Sequence, residues 1–125
     1  MNDGPQGSRL RAWLWRQQFY PTGLGIFVNP FYFARRGLGQ CLAELLPRMT
    51  GDVLDVGCGT KPYRRLMPGA RYVGMEYDTP RARKSFSADV FYDGRHFPMA
   101  DASFDGVLCS QVLEHVFTPD EFLRE

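Results

Sequence analysis

Val53-Leu54-Asp55-Val56-Gly57-Cys58-Gly59-Thr60 is the stretch on which the fold turns. Val53, Leu54 and Val56 are strand formers in an apolar run, the pattern of a parallel strand covered on both faces. Gly57 and Gly59 follow at once, and without a Cβ each lets the backbone bend sharply and approach a ligand. Asp55 places a carboxylate at the carboxyl end of the predicted strand. Open α/β sheets bind their ligands outside that edge.

Outward from this stretch, Arg71 to Glu76 reads as a second strand ending in an acid. Glu76 lies 19 residues after Gly57, close to the ~20-residue offset at which dinucleotide folds carry a ribose-binding acid. Asp78 is the alternative two residues on. A third strand is expected within 85–91, with Asp93-Gly94 as the turn after it. A fourth is expected over 103–110, with Val107 and Leu108 central. Were these strands parallel, Asp55, Glu76 and Asp93 would gather near one edge of the sheet.

The glycine stretch, Tyr72-Val73-Gly74-Met75-Glu76 and the block from Phe97-Pro98-Met99-Ala100-Asp101 through Leu113-Glu114-His115-Val116 stand in one order. That order resembles class I S-adenosylmethionine-dependent methyltransferases, and within them the small-molecule type 11 group. The resemblance runs from about Asp52 to the last residue. It implies a Rossmann-like, doubly wound parallel α/β sheet, incomplete here, with about four of the family's seven strands. The implied cofactor is S-adenosylmethionine. By resemblance, Glu76 accepts the ribose hydroxyls. Asp93, beside the Gly94 backbone, accepts from the adenine amine, with Asp89 as competitor. Gly57 and Gly59 approach the methionine part, whose amino group Asp55 orients. The Ser110 backbone and Gln111 line the same site. One departure stands out: where a further glycine often follows, this chain has Lys61-Pro62-Tyr63.

Methyl transfer from a sulfonium is an in-line displacement with a neutral leaving group, so the protein chiefly has to align the reactants. A base helps when the acceptor is a hydroxyl or ammonium group. His115, after the fourth strand, is the candidate. His96 reads as a structural loop residue, and Asp105 as a carboxylate that fixes local structure. The group resemblance points to a small-molecule acceptor: a sugar, a lipid-linked compound or a quinone-like precursor.

A chain of 125 residues with a net charge of +1 fits one domain at most and gives no reason to expect nucleic acid as partner. Its charge is uneven. Arg9, Arg11, Arg16, Arg35 and Arg36 fall between Gly4 and Ala43 with no acid among them. Cys41, Cys58 and Cys109 form no CxxC pair, which points to free thiols in a reducing compartment, the cytoplasm by default. No spacing of His, Cys and acid resembles a metal site. No apolar run reaches the ~18 residues of a spanning helix.

Residues 1–29 are expected to form an extension, disordered over Met1 to Ser8 and helical over Arg9 to Tyr20. That helix reads either as one packed on the domain by its aromatics, or as a substrate lid or a peripheral membrane contact. Pro21 to Gly25 is a turn-rich break. The cofactor-binding domain is expected over 30–125. Its first helix runs from Phe31 to Met49, capped by Asn29 with Pro30 in the first turn. Leu38, Leu42, Leu45 and Leu46 recur at helical spacing and are expected to face a core. The connection 77–84 reads as too short for a full helix, so its crossover helix is expected to be reduced to a turn, and Thr118-Pro119-Asp120-Glu121 reads as a capping box.

Other functions fit less well. A nicotinamide site needs G-x-G-x-x-G, and Pro62 stands at its last position. No P-loop is present. The rival from another class is a non-catalytic cofactor-binding remnant, or a half-domain that needs a partner chain. It follows from the expected strand count: the fourth strand would keep an open edge, and much of the acceptor pocket would lie outside these residues. On that reading the chain is the amino-terminal piece of a methyltransferase, marginally stable and inactive alone. Its oligomeric state does not follow from sequence.

Overall fold

The computed structural model describes residues 8–85 and 87–125; the segment expected to be disordered lies, but for Ser8, outside them. The chain divides into two compact units, one ending at Arg48 and one beginning at Met49. The boundary therefore follows the second helix, rather than falling at residue 29 or 30.

The first unit holds helix α1 (Arg9–Phe19), a 3-10 turn (Gly23–Phe27) and helix α2 (Tyr32–Leu45), which tightens into a 3-10 turn at Leu46–Arg48. Gln17 is its buried polar side chain. Gln17 Oε1 accepts from the Thr22 N–H at 2.9 Å, and its carbonyl accepts from Asn29 Nδ2 at 3.1 Å. These bonds tie α1 to the turn that follows. Asn29 Oδ1 also accepts from the Phe31 N–H at 2.9 Å, a local turn ahead of the helix; the N-cap position falls on Phe31 and carries no side-chain capping bond, so Asn29 is not the cap expected. Leu42 and Leu46 are buried, but Leu45 is 53 % exposed. Leu42 and Leu46, one helical turn apart, share the buried face, and Leu45 lies off it.

The second unit is a four-stranded sheet in the order β3-β2-β1-β4, every neighbouring pair parallel. Its strands are β1 (Gly51–Val56), β2 (Ala70–Tyr77), β3 (Val90–Tyr92) and β4 (Gly106–Cys109). This is the expected incomplete Rossmann-like α/β sheet. Connections step from β1 to β2 to β3 on one side. The chain then returns to place β4 on the other side of β1. That reversal creates a topological switch point between β1 and β4, the place where such sheets bind ligands. β4 is an edge strand, and its Val107 is 59 % exposed.

The side-chain period of two sends Leu54 and Val56 to one face of β1. There they pack with Met75, Tyr92 and Phe122, the last from helix α4 (Pro119–Arg124). Tyr77, Tyr92, Phe97 and Phe122 follow one another in edge-on ring contacts. Asp105 behaves as expected, with Oδ2 accepting from the Asp52 N–H at 2.8 Å.

Two local expectations fail. The 77–84 connection contains a short helix, α3 (Pro80–Ser85). Thr79 Oγ1 accepts from the Ala82 N–H at 3.0 Å and Ala82 is buried, so a cap and one anchored methyl hold six residues helical. The Thr118 side chain makes no capping bond, so the capping box does not form.

Met75 is completely buried at the centre of this core. Met75→Ala should cost about 2–5 kcal/mol, and exposed Val107→Ala no more than about 0.5 kcal/mol. Urea midpoints at constant slope measure both. Similar losses would show that the core is not centred on β2.

Candidate functional site

The turn after β1 is built by backbone hydrogen bonds. The N–H groups of Gly57 and Cys58 both donate to the Met75 carbonyl of β2, at 2.9 and 3.1 Å. Gly57 and Gly59 have φ of 73° and 50°, conformations that suit glycine. The Gly59 N–H donates to Glu76 Oε2 at 2.9 Å, and the Tyr77 N–H to Glu76 Oε1 at 3.0 Å. Glu76 is thus fixed at the tip of β2. A carboxylate has about four acceptor positions, so about two remain for a ligand.

Above these strand ends lies a cavity of about 590 Å³, within the ~300–1,000 Å³ range of small-molecule sites. It brings together Gly57, Glu76, Asp93, Gly94, Gln111 and His115 from the sequence reading. Asp55, Gly59 and Ser110 are not in its lining. Asp55 is 3 % exposed and its Oδ2 accepts from the Tyr72 hydroxyl. The Gly59 amide is turned to Glu76. Ser110 is half-buried, and the residue after it, Gln111, reaches the lining with a φ of 58°.

The two competing acids are engaged elsewhere. Asp78 pairs through both oxygens with Arg83, at 2.6 and 2.7 Å. Asp89 accepts from Lys61 Nζ at 2.8 Å and from the Gly74 N–H at 2.7 Å. Burial pulls the Asp89 carboxyl upward, but these bonds and the nearby cations outweigh it and leave the group below its ordinary range. Asp93 Oδ1 accepts from the Arg95 and His96 N–H groups, both at 2.8 Å. Those backbone bonds hold it below the ordinary carboxylate range, and Oδ2 lies 3.7 Å from His96 Nδ1.

Sequence reasoning missed Tyr77, Tyr92, Arg95, Val112, Val116 and Phe117, which also line the cavity. Tyr77 had a signal, since it follows the strand-tip acid directly. Tyr92 closes the short strand β3, and the others come from loops whose course depends on tertiary packing. Cys58 is buried, and that burial, with the carboxylate of Asp55 next, pushes its thiol up to about 12. It stays protonated at neutral pH and unreactive.

A parallel sheet with its cavity at the switch point, a glycine turn and a strand-tip acid is the layout of a Rossmann-like α/β domain. A family profile described as "Methyltransferase domain" matches residues 54–125, and the chain belongs to that family of class I methyltransferase domains. No curated protein and no solved structure gave a match. S-adenosylmethionine is the cofactor the family generally uses, and the lining fits such a group. A Cβ on Gly57 would come within 2.3 Å of the Val112 side chain, and one on Gly94 within 2.8 Å of the Tyr77 ring. Both glycines therefore let the cavity walls close against Val112 and Tyr77, where any side chain would collide. Tyr77 offers a ring and Glu76 an acceptor pair.

Burial pushes the Asp55 carboxyl up to about 6, against the opposing hydrogen bond from Tyr72. The folded chain therefore holds this proton more tightly than the unfolded chain does. Its contribution to stability is full below about pH 4, declines as pH rises to about 6 and is flat above, a span of roughly 2–3 kcal/mol. Asp55→Asn keeps an acceptor for Tyr72 and should remove that decline, raising the urea midpoint at pH 7. An unchanged pH profile between 4 and 7 would show that Asp55 ionises as freely folded as unfolded.

Proposed function

We propose that this chain binds S-adenosylmethionine in the cavity at the β1/β4 switch point and serves methyl transfer to a small-molecule acceptor. The observation that carries the reading is Glu76, fixed by two backbone N–H groups at the rim of a cavity walled by Gly57 and Tyr77. When bound, the cofactor supplies a methyl group on a positively charged sulfur, already activated for displacement. Glu76 accepts from the two ribose hydroxyls, and the second oxygen of Asp93 accepts from the adenine amine. Gly57, in the cavity lining, presents its backbone toward the methionine part. Asp55 acts on it from beneath the turn, as a buried carboxylate that a nearby ammonium group would ionise. His115, exposed in the lining, takes the proton from a hydroxyl or ammonium acceptor. Sugar, lipid-linked and quinone-like compounds are the acceptor classes this reading favours.

A second reading, a cofactor-binding half-domain that acts with a partner chain, draws support from the unpaired edge of β4 and its exposed Val107. Methyl transfer by the purified chain alone would exclude it.

Calorimetry with S-adenosylhomocysteine tests the site. Glu76→Ala should weaken binding by about 1–3 kcal/mol, the scale of hydrogen bonds to a charged group. Asp78→Ala should leave affinity unchanged. The reverse pattern would move the ribose contact to Asp78, and no binding by the unsubstituted chain would overturn the cofactor assignment.

A further inference from the structure

The first unit leaves a concentrated apolar surface uncovered. Between residues 24 and 33, Leu24 is 66 % exposed, Phe27 85 %, Phe31 67 % and Phe33 75 %, with Ile26 and Val28 about half exposed. These residues occupy one corner, formed by the 3-10 turn Gly23–Phe27 and the first turn of α2. The corner is held in shape from inside. Gln17 bonds to Thr22 and Asn29, and a Cβ on Gly25 would come within 2.6 Å of Gln17 Oε1. The apolar side chains are thus presented outward on a fixed backbone.

The same unit is rich in cations. From Ser8 to Arg48 the chain carries Arg9, Arg11, Arg16, Arg35, Arg36 and Arg48 against the lone acid Glu44. Arg36 lies three residues after Phe33 in α2, so the two share a helix face. Its guanidinium lies 6.0 Å from the centre of the Tyr32 ring and donates to the Tyr32 hydroxyl at 3.0 Å. Arg35 lies over the Phe19 ring at 5.7 Å. Phenylalanine and aliphatic side chains at a tip, with arginines one turn behind, match the layering of acyl chains beneath anionic headgroups.

We propose that this corner docks on an anionic lipid bilayer, with Phe27, Phe31 and Phe33 in the acyl boundary and the arginines among the headgroups. The inference goes beyond the methyltransferase reading and does not depend on it. No helix among the described residues is long and apolar enough to cross a membrane, so the contact is peripheral. Charge argues against a second copy as the occupant. A two-fold interface would set like patches face to face, arginine opposing arginine with no acid between them. Nucleic acid would satisfy the arginines and leave Leu24, Ile26 and Val28 unmatched.

Co-sedimentation of the full chain with phosphatidylglycerol-containing vesicles, against phosphatidylcholine vesicles, tests this. Binding should require the anionic lipid and weaken with salt. Phe27→Asp/Phe33→Asp should reduce it by roughly tenfold or more, with unchanged circular dichroism and unchanged S-adenosylhomocysteine affinity. Absence of vesicle binding, or binding indifferent to both phenylalanines, would overturn the proposal. So would a patch that sediments as a dimer broken by the same substitutions without touching vesicles, or one that binds oligonucleotides in preference to vesicles.

Discussion

The second unit depends on one carbonyl. Met75 C=O receives the N–H groups of both Gly57 and Cys58, and this folds the turn after β1 over the end of β2. Everything at the site is downstream of that fold-over. It brings the Gly59 amide within reach of Glu76, which sits one residue beyond Met75 on the same strand. It also sets Gly57 against Val112, three residues past the end of β4, from the other side of the switch point. The positive φ at Gly57 is what the turn requires, and a side chain there would strain the backbone and strike Val112.

Charge is handled differently on the two sides of that turn. On the cavity side, Glu76 and Asp93 spend part of their acceptor capacity on backbone N–H groups and keep the rest for a ligand. Beneath the turn, each polar group has a protein partner: Asp55 with Tyr72, Lys61 with Asp89. Desolvation dominates there, raising Asp55 and Cys58 alike. The proposed binding of a cationic cofactor above this turn would bring the Asp55 carboxyl a charge that favours its ionised form.

The sheet was legible because its signals are local. The apolar run into Gly57, the acid 19 residues later and Asp93-Gly94 after the third strand each follow from strand period and turn chemistry. The choice among acids was not. Asp78 and Asp89 differ from Glu76 and Asp93 only in which partners the fold delivers, Arg83 to one and Lys61 to the other. The cavity walls at Arg95, Val116 and Phe117 were unreadable for the same reason. Short elements failed in both directions. α3 exists because Ala82 finds a buried place, and the Thr118 box is absent because the N-cap ψ of 70° is not the extended value a cap adopts.

Lys61 shows how the chain keeps the loop while breaking its pattern. Its φ is 53°, the conformation a glycine would take without strain. For lysine that geometry costs about 1–2 kcal/mol. The hydrogen-bonded ion pair with Asp89 offsets a similar amount at most, about 1.5–3 kcal/mol, discounted because Asp89 is 46 % exposed. The two effects nearly balance, so the loop keeps its path. To reach Asp89, the lysine stem must cross β2 at Gly74. There a Cβ would come within 2.8 Å of both Lys61 Cε and Cys58 Sγ. Close approach therefore requires glycine at position 74, in the strand beneath the loop. A bulky residue at position 74 would expel Lys61 and leave Asp89 without its cation, whatever stood in the loop.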